Sequence, residues 1–490
     1  MELKQRVVKG VAWSTVEKIC SALLQLVVSL VLLSLLTPED YGIVAIAAAF
    51  ASILLPVVDS GFSQALIRKN VIDRADSSSV FFLNMAIAAV LYILLLAVTP
   101  AIADFYQAPV LRQIAPVLFL LIPINALSNI QNAILSHDIE FKRLSLITLC
   151  ATVVSSVVAI VLALRGLGVW ALVCQRIFMV ATRTLLLWLS SKWRPAWIFS
   201  IERIRGMFRY GSRILLSDLL SNIYYQISSL SIGKFYTKTD LGYYDRGNKI
   251  KELPVNSTIM AVLGVTFPAF ARLKDDNPKL ADSARKVFQM WTFGMLPLMC
   301  GLIAVCGDFF RVLLPEVWLP TVPYLQILCL GGLFSPLSVL SYNIVKVKSD
   351  GKMVFRIELI KKAIATLILA ITIPISVRAI AWGQVAIFLS DMLVNTIAAH
   401  RFVGEWRFWR LLTDAAPYAA ITLLMIAGVM AVGLLSSLIP LWAVLTLKIV
   451  AGVGLYAALA ELFGLSAWRE LKEILRGYGR SRKQKGAKCL

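Results

Sequence analysis

Apolar residues run along this chain in blocks of about 20 with no period-two alternation, and short polar turns separate the blocks. That length lets a helix cross a hydrocarbon core, whereas a spanning barrel strand would alternate over about ten residues. The blocks lie near residues 10–36, 42–62, 78–100, 113–134, 144–164, 168–190, 210–233, 252–270, 288–307, 320–345, 355–377, 379–399, 412–436 and 440–463. The pattern predicts an all-α integral membrane protein with about fourteen transmembrane helices. The first block follows three basic residues but runs past the length of a signal h-region without a small-residue cleavage site, so it reads as a retained span.

A repeat organises the blocks. Thr37-Pro38-Glu39-Asp40-Tyr41-Gly42 returns about two hundred positions later as Thr237-Lys238-Thr239-Asp240-Leu241-Gly242, and Ser21, Ser29 and Leu30 recur as Ser221, Ser229 and Leu230. Ala103-Asp104-Phe105-Tyr106 is echoed by Gly307-Asp308-Phe309-Phe310, and Arg165 with Trp170 by Arg378 with Trp382. These markers predict two pseudo-symmetric six-helix lobes, residues 1–200 and 201–405. Two accessory helices follow at 406–466, after the Trp406-Arg407-Phe408-Trp409-Arg410 belt, and a basic cytoplasmic tail at 467–490. Repeats of this kind place a ligand between the halves.

Composition agrees with the pattern. The 490 residues are 59% hydrophobic and 16% charged, with mean hydropathy +0.78, which excludes a water-soluble globule. A net charge of +21 suggests nucleic acid in a soluble protein; here it reads as topology, and no nucleic-acid partner is implied. Most Lys and Arg fall in alternate loops, which puts both termini in the cytoplasm. Lys346, Lys361 and Lys362 read as inner-loop charges, and Lys234, Lys238, Arg246, Lys249 and Lys251 as an unusually basic outer loop before span eight.

Chemistry is sparse. The seven cysteines form no CxxC, both histidines fall in inner loops, and no P-loop, GxSxG or HExxH occurs. The sequence predicts no catalytic site, cofactor or metal. What stands out is a set of ionisable residues at membrane depth, where charge is costly and marks a cavity or a partner. Glu17 and Lys18 lie in span one, Asp59 closes span two, Arg176 and Arg183 lie in span six, Arg213 and Asp218 in span seven, Asp391 in span twelve and Lys448 in span fourteen. Snorkelling to an interface accounts for several of them, Arg183, Arg213 and Lys448 in particular. Guanidinium suits phosphate, so Arg176, Lys18, Arg183 and Arg213 are the substrate-binding candidates. Asp59, Asp218 and Glu17 are candidates for ion coupling or a gate. Lys18 and Asp218 occupy equivalent repeat positions with opposite charge, which suits a cytoplasmic gate; separate pairing of Lys18 with Glu17 and of Asp218 with Arg213 is the plainer alternative.

Several of these stretches resemble a known family. Trp13 with the span-one run, Leu35-Leu36-Thr37-Pro38-Glu39-Asp40-Tyr41-Gly42, Asp59-Ser60-Gly61, Gly166-Leu167-Gly168-Val169-Trp170-Ala171-Leu172, Leu241-Gly242-Tyr243-Tyr244-Asp245-Arg246 and Phe267-Pro268-Ala269-Phe270 are similar to the polysaccharide exporters of the Wzx type, most of all the branch containing the colanic acid exporter. The resemblance implies a flippase of the multidrug, oligosaccharidyl-lipid and polysaccharide superfamily in a bacterial inner membrane. It implies an undecaprenyl-pyrophosphate-linked oligosaccharide as substrate, and a polysaccharide polymerase and chain-length regulator as partners alongside membrane lipids. Ser34 stands where many relatives carry an arginine two residues before Leu-Thr-Pro, and Pro315 where the usual glycine precedes the span-ten tryptophan. The alternatives are a cation-coupled multidrug exporter of the same superfamily, which would favour acidic cavity residues, and a membrane glycosyltransferase or polymerase, which would need a catalytic outer loop.

Overall fold

The computed structural model describes residues 17, 20, 21, 23–59, 61–67, 73–138, 140–349, 351–434 and 439–473. The described chain is helical: α1 Leu23–Leu35, α2 Pro38–Asp59, α3 Phe62–Ile67, α4 Arg74–Phe105, α5 Leu111–Phe119, α6 Leu121–His137, α7 Phe141–Leu164, α8 Val169–Ser190, α9 Ile201–Phe235, α10 Lys238–Arg272, α11 Asn277–Leu313, α12 Thr321–Gly332, α13 Ser335–Lys348, α14 Gly351–Thr372, α15 Val377–Phe402, α16 Phe408–Gly433 and α17 Leu441–Leu462. A helix overlaps every predicted apolar block, α5 with α6 and α12 with α13 sharing one each. Among the described residues, ten of these segments are long and apolar enough to cross a membrane.

The chain divides into two compact units, Met1–Asp245 and Arg246–Leu490. Lipid tails are as apolar as leucine, so close packing and polar ties must hold each unit together. In the first unit the extended segment 191–200 is fastened to the start of α4 by three consecutive serines. Trp193 Nε1 donates to Ser77 Oγ (2.9 Å), Ala196 N to Ser78 Oγ (3.0 Å) and Ser200 N to Ser79 Oγ (3.0 Å). Arg203 then bonds Asp73, which caps α4, and Asp76 at 3.1 Å. The guanidinium of Arg203 beside it holds the Asp73 carboxyl below the usual carboxylate range. These bonds fix where α9 begins. Above them Phe62, Leu66, Val80, Phe81 and Ile130 form a buried cluster against Trp188 and Trp193.

In the second unit α16 and α17 pack on α11 through Phe293, Tyr418, Ile421, Met425, Val429 and Tyr456, and Tyr456 donates to the Phe293 carbonyl at 2.7 Å. Two ion pairs clamp this contact. Arg285 grips Asp414 with two hydrogen bonds of 2.7 and 2.6 Å, and Lys448 meets Asp308 at 2.5 Å. Lys448 therefore does not snorkel; it ties α17 to the end of α11.

Three expectations are corrected. The basic outer loop before span eight is helix: α9 ends at Phe235 and α10 starts at Lys238, because Thr237 and Asp240 cap α10 at once. Lys346, Lys361 and Lys362 are not loop residues either, since they stand on α13 and α14. In the aromatic belt only part faces outward: Trp409 is exposed, whereas Trp406 is fully buried and donates to Ser341 Oγ at 2.9 Å. An indole can satisfy its single N–H inside a core, and here it does.

Candidate functional site

The repeated hexapeptide turns out to be one device used twice, within the first unit. In each copy threonine and aspartate cap a helix reciprocally. Thr37 Oγ1 donates to Asp40 Oδ2 (2.8 Å) while Asp40 N donates back to Thr37 Oγ1 (3.3 Å); Thr237 and Asp240 do the same at 2.6 and 3.0 Å. The glycine two positions later serves a different purpose. A Cβ on Gly42 would lie 1.8 Å from the Lys238 carbonyl oxygen, and one on Gly242 would lie 1.9 Å from the Pro38 carbonyl oxygen. The two copies thus cross backbone to backbone with pseudo-two-fold reciprocity, and only glycine permits that approach. Tyr41, Ile43 and Leu241 are buried at the crossing.

The cationic candidates meet on α8. Arg176 and Arg183 are seven residues apart, hence on one face and about 10 Å apart along the axis. Both are half-buried. Arg183 Nη2 donates to Asn132 Oδ1 of α6 at 2.9 Å, and its charge interacts with that of Glu17. Two more bonds hold that half of α8 to α6: Thr184 Oγ1 to the Ile124 carbonyl (3.1 Å) and Trp188 Nε1 to the Leu127 carbonyl (2.9 Å). Glu17 also accepts from Ser21 Oγ at 3.1 Å. Arg183 is in this way held to α6 on the face it shares with Arg176, and guanidinium suits a ligand that is an anion.

The acidic candidates form a second group. Asp59 accepts from both the hydroxyl and the backbone N–H of Ser63, and it lies near enough to Asp218 for their charges to repel. Asp218 is exposed. Lys18 lies outside the described residues, as does the side chain of Arg213, which belongs to α9. The expected Lys18–Asp218 pair therefore has no geometry here, and neither does pairing of Asp218 with Arg213.

The second unit holds polar residues that the sequence hid. Lys251 of α10 is 4% exposed, with its ammonium 4.9 Å from the Phe388 ring centre on α15. One turn along α15, Asp391 interacts with Lys361 and Lys362 of α14. Lys361 is 8% exposed and bonds Glu358 at 2.6 Å. Two ammonium groups lie against the ring of Tyr342 on α13, Lys346 at 4.4 Å and Lys361 at 4.5 Å from its centre. Positive-inside bookkeeping had placed these lysines in loops. The signal available was the Glu358-x-x-Lys361 spacing, which pairs side chains on one helix face.

Similarity to known proteins accords with this architecture. The family model described as polysaccharide biosynthesis protein matches residues 31–323. The chain is 26% identical over 333 residues to the succinoglycan biosynthesis transport protein ExoT of Rhizobium meliloti, covering 68% of this chain and 67% of that one. It is 22% identical over 406 residues to the lipopolysaccharide biosynthesis protein WzxC of Escherichia coli, covering 82% and 81%. Among solved structures, the lipid II flippase MurJ in an inward closed conformation matches 94% of this chain and 99% of its own with TM-score 0.75 at 15% identity. An inward-facing multidrug resistance MATE transporter of the MOP superfamily matches 80% and 98% with TM-score 0.60 at 15% identity. A helical bundle of this fold, with ten described segments long and apolar enough to cross a membrane and a family match across more than half its length, is a multi-pass membrane protein: the chain belongs to the polysaccharide biosynthesis protein family.

Proposed function

We propose that this protein is a flippase that carries an undecaprenyl-pyrophosphate-linked oligosaccharide repeat unit from the cytoplasmic to the periplasmic leaflet of a bacterial inner membrane. Its product feeds a surface polysaccharide such as O-antigen, capsule or exopolysaccharide. The observation that carries the reading is the Arg176–Arg183 face of the apolar helix α8, with Arg183 held by Asn132, in a chain of the polysaccharide biosynthesis protein family. Paired guanidinium donors suit a diphosphate, and Lys18 and Arg213 would extend the same cationic surface. Transport proceeds by alternating access of two six-helix lobes, residues 1–200 and 201–405. Spans thirteen and fourteen stand outside the repeat, for fourteen in all, and both termini are cytoplasmic. Asp59 and Asp218 are the coupling-ion or proton site with Glu17 beside Arg183, and Lys18 with Asp218 closes the cytoplasmic side. A polymerase and a chain-length regulator act downstream.

Deletion tests the reading. Export of one surface polysaccharide stops and lipid-linked precursor accumulates on the inner leaflet; accumulation on the periplasmic side instead would assign the defect to polymerisation. Arg176→Ala and Arg176→Glu should each impair export with protein still present in the membrane. The Asp59–Asp218 pair favours one second reading, a cation-coupled multidrug exporter. Unchanged polysaccharide with increased sensitivity to cationic drugs in the deletion strain would select it.

A further inference from the structure

We propose that the segment joining α8 to α9 is a binding site for an anionic phospholipid, whose phosphate meets Arg143, Lys192 and Arg194 and whose acyl chains lie along α4. The site lies wholly within the first unit and does not depend on the flippase reading above.

The cations gather where α8 ends. The last turn of that helix carries no basic residue of its own, and two arginines from outside it supply the charge. Arg194 donates from Nη1 to the carbonyls of Ser191 (2.7 Å) and Trp193 (2.8 Å) and from Nη2 to that of Trp188 (3.0 Å), with its guanidinium 5.4 Å from the Trp188 ring centre. Arg143 of α7 donates to the neighbouring carbonyl of Ser190 at 3.4 Å. Carbonyl partners leave the charge of a guanidinium intact, and its five N–H donors exceed the bonds that either arginine makes here. Lys192 follows Ser191 directly in the chain. All three side chains are exposed, and among the described residues none is in an ion pair. Asp73 and Asp76 are taken up by Arg203. The exposed carboxylates nearest in sequence are Glu140 and Glu202, and the second is offset by exposed Arg205 three residues on.

An apolar path leads away from these cations. Trp197 stands three residues past Arg194, at most about 11 Å along an extended chain. It stacks on Phe82 of α4 with ring centres 5.4 Å apart and planes 22° apart, yet 94% of its surface stays open. Phe82 begins a row that continues in steps of four through Ala86, Val90 and Leu94, and the last two are 63% and 52% exposed on a helix long and apolar enough to cross a membrane. A spanning helix presents such a row to acyl chains. Trp197 is therefore at the foot of a lipid-facing row, the level at which tryptophan collects, and Ile198, Phe199 and Ile201 are exposed around it. The backbone of this stretch can lie there because Ser78 and Ser79 accept from Ala196 N and Ser200 N. The order of cations, indole and apolar row reproduces that of phosphate, glycerol and acyl chain in one phospholipid. Cations without a paired carboxylate select a headgroup of net negative charge, because the ammonium of a zwitterion would be repelled.

The test uses the full-length protein in phosphatidylcholine nanodiscs, into which dibrominated phosphatidylglycerol or dibrominated phosphatidylcholine is titrated. Bromine quenches an indole that it touches, and the signal of Trp197 is the difference between wild type and Trp197→Phe. Phosphatidylglycerol should reach half-maximal quenching at about one-tenth of the mole fraction that phosphatidylcholine needs, since each basic residue near an anionic headgroup is worth about fivefold. Lys192→Gln with Arg194→Gln should bring the two curves together, whereas Lys192→Arg should leave them apart. Lys192→Gln alone removes an exposed side chain that bonds nothing among the described residues; it should narrow the gap severalfold and guards against misfolding of the double variant. Equal curves in wild type, or an unchanged gap in the Gln pair, overturns the site. Absence of quenching by either lipid takes Trp197 off the membrane surface and overturns it as well. Glycerol 3-phosphate should leave the gap open, and closure at millimolar concentration would give the cations to a soluble phosphate instead of a lipid.

Discussion

Replacing Gly42 by alanine should force open the crossing of α2 and α10. The new Cβ would sit 1.8 Å from the Lys238 carbonyl oxygen and 2.7 Å from its carbon, and neither backbone atom can swing aside as a side chain would. A carbon–oxygen contact needs about 3.3 Å, so the two helix ends must part by about 1.5 Å. Overpacking of that size costs about 1–3 kcal/mol, which shifts a two-state equilibrium by about 5- to 150-fold toward the form in which the ends are separated. Gly242→Ala meets the Pro38 oxygen at 1.9 Å and should have an equal effect. The double variant should fall short of the sum, because one separation relieves both clashes. Leu241 is fully buried at the crossing, so a single cysteine there, in a chain with its native cysteines replaced, reports the opening. A membrane-impermeant maleimide should label Leu241→Cys slowly in the parent and at least fivefold faster with Gly42→Ala or Gly242→Ala. Gly294→Ala, with no atom within 4 Å of the added carbon, is the control and should change nothing. Wild-type labelling in both crossing variants would refute the reasoning that the added carbon forces the two helix ends apart.

Three further outcomes are expected. Asp414→Asn removes the charge that Arg285 grips; the pair lies between exposed and buried, so the loss should be about 2 kcal/mol, read as a lower unfolding temperature that Arg285→Gln reproduces. The bond from Arg203 stabilises the protein while Asp73 is ionised. Its contribution should be constant from pH 8 to pH 5 and disappear as pH falls below about 4 through the lowered pKa of Asp73, so the melting gap between wild type and Arg203→Gln should close in acid. Asn132→Leu deprives Arg183 of its 2.9 Å partner, and the reoriented guanidinium should reduce export severalfold at unchanged protein level; a normal export rate would separate that contact from transport.

Helix type and the places of the apolar blocks were legible in the sequence because a spanning segment must satisfy its backbone internally and needs about 20 apolar residues, constraints that act locally; of the fourteen spans expected, ten described segments are long and apolar enough to cross a membrane. The repeated Thr-x-x-Asp was also readable, since a capping box is a contact between near neighbours. Locality ended there. That Gly42 and Gly242 press on each other's helices could not be read from either copy, because each glycine is required by a carbonyl on the other segment. Charge counting failed for the same reason at Lys251, Lys361 and Lys362. A lysine in a polar stretch looks like a loop anchor until Phe388, Glu358 and Asp391 arrive from other helices or other turns to hold it inside. Asp59 and Asp218 were each visible as costly charges, but only folding brought their charges within reach of each other. The sequence by itself determined that this chain is a helical membrane protein with scarce, mainly cationic charge at depth, because hydrophobic length and propensity are properties of single segments. Tertiary structure alone decided which charges neutralise one another, such as Arg285 with Asp414 and Lys448 with Asp308, because an ion pair depends on distances between segments far apart in the chain.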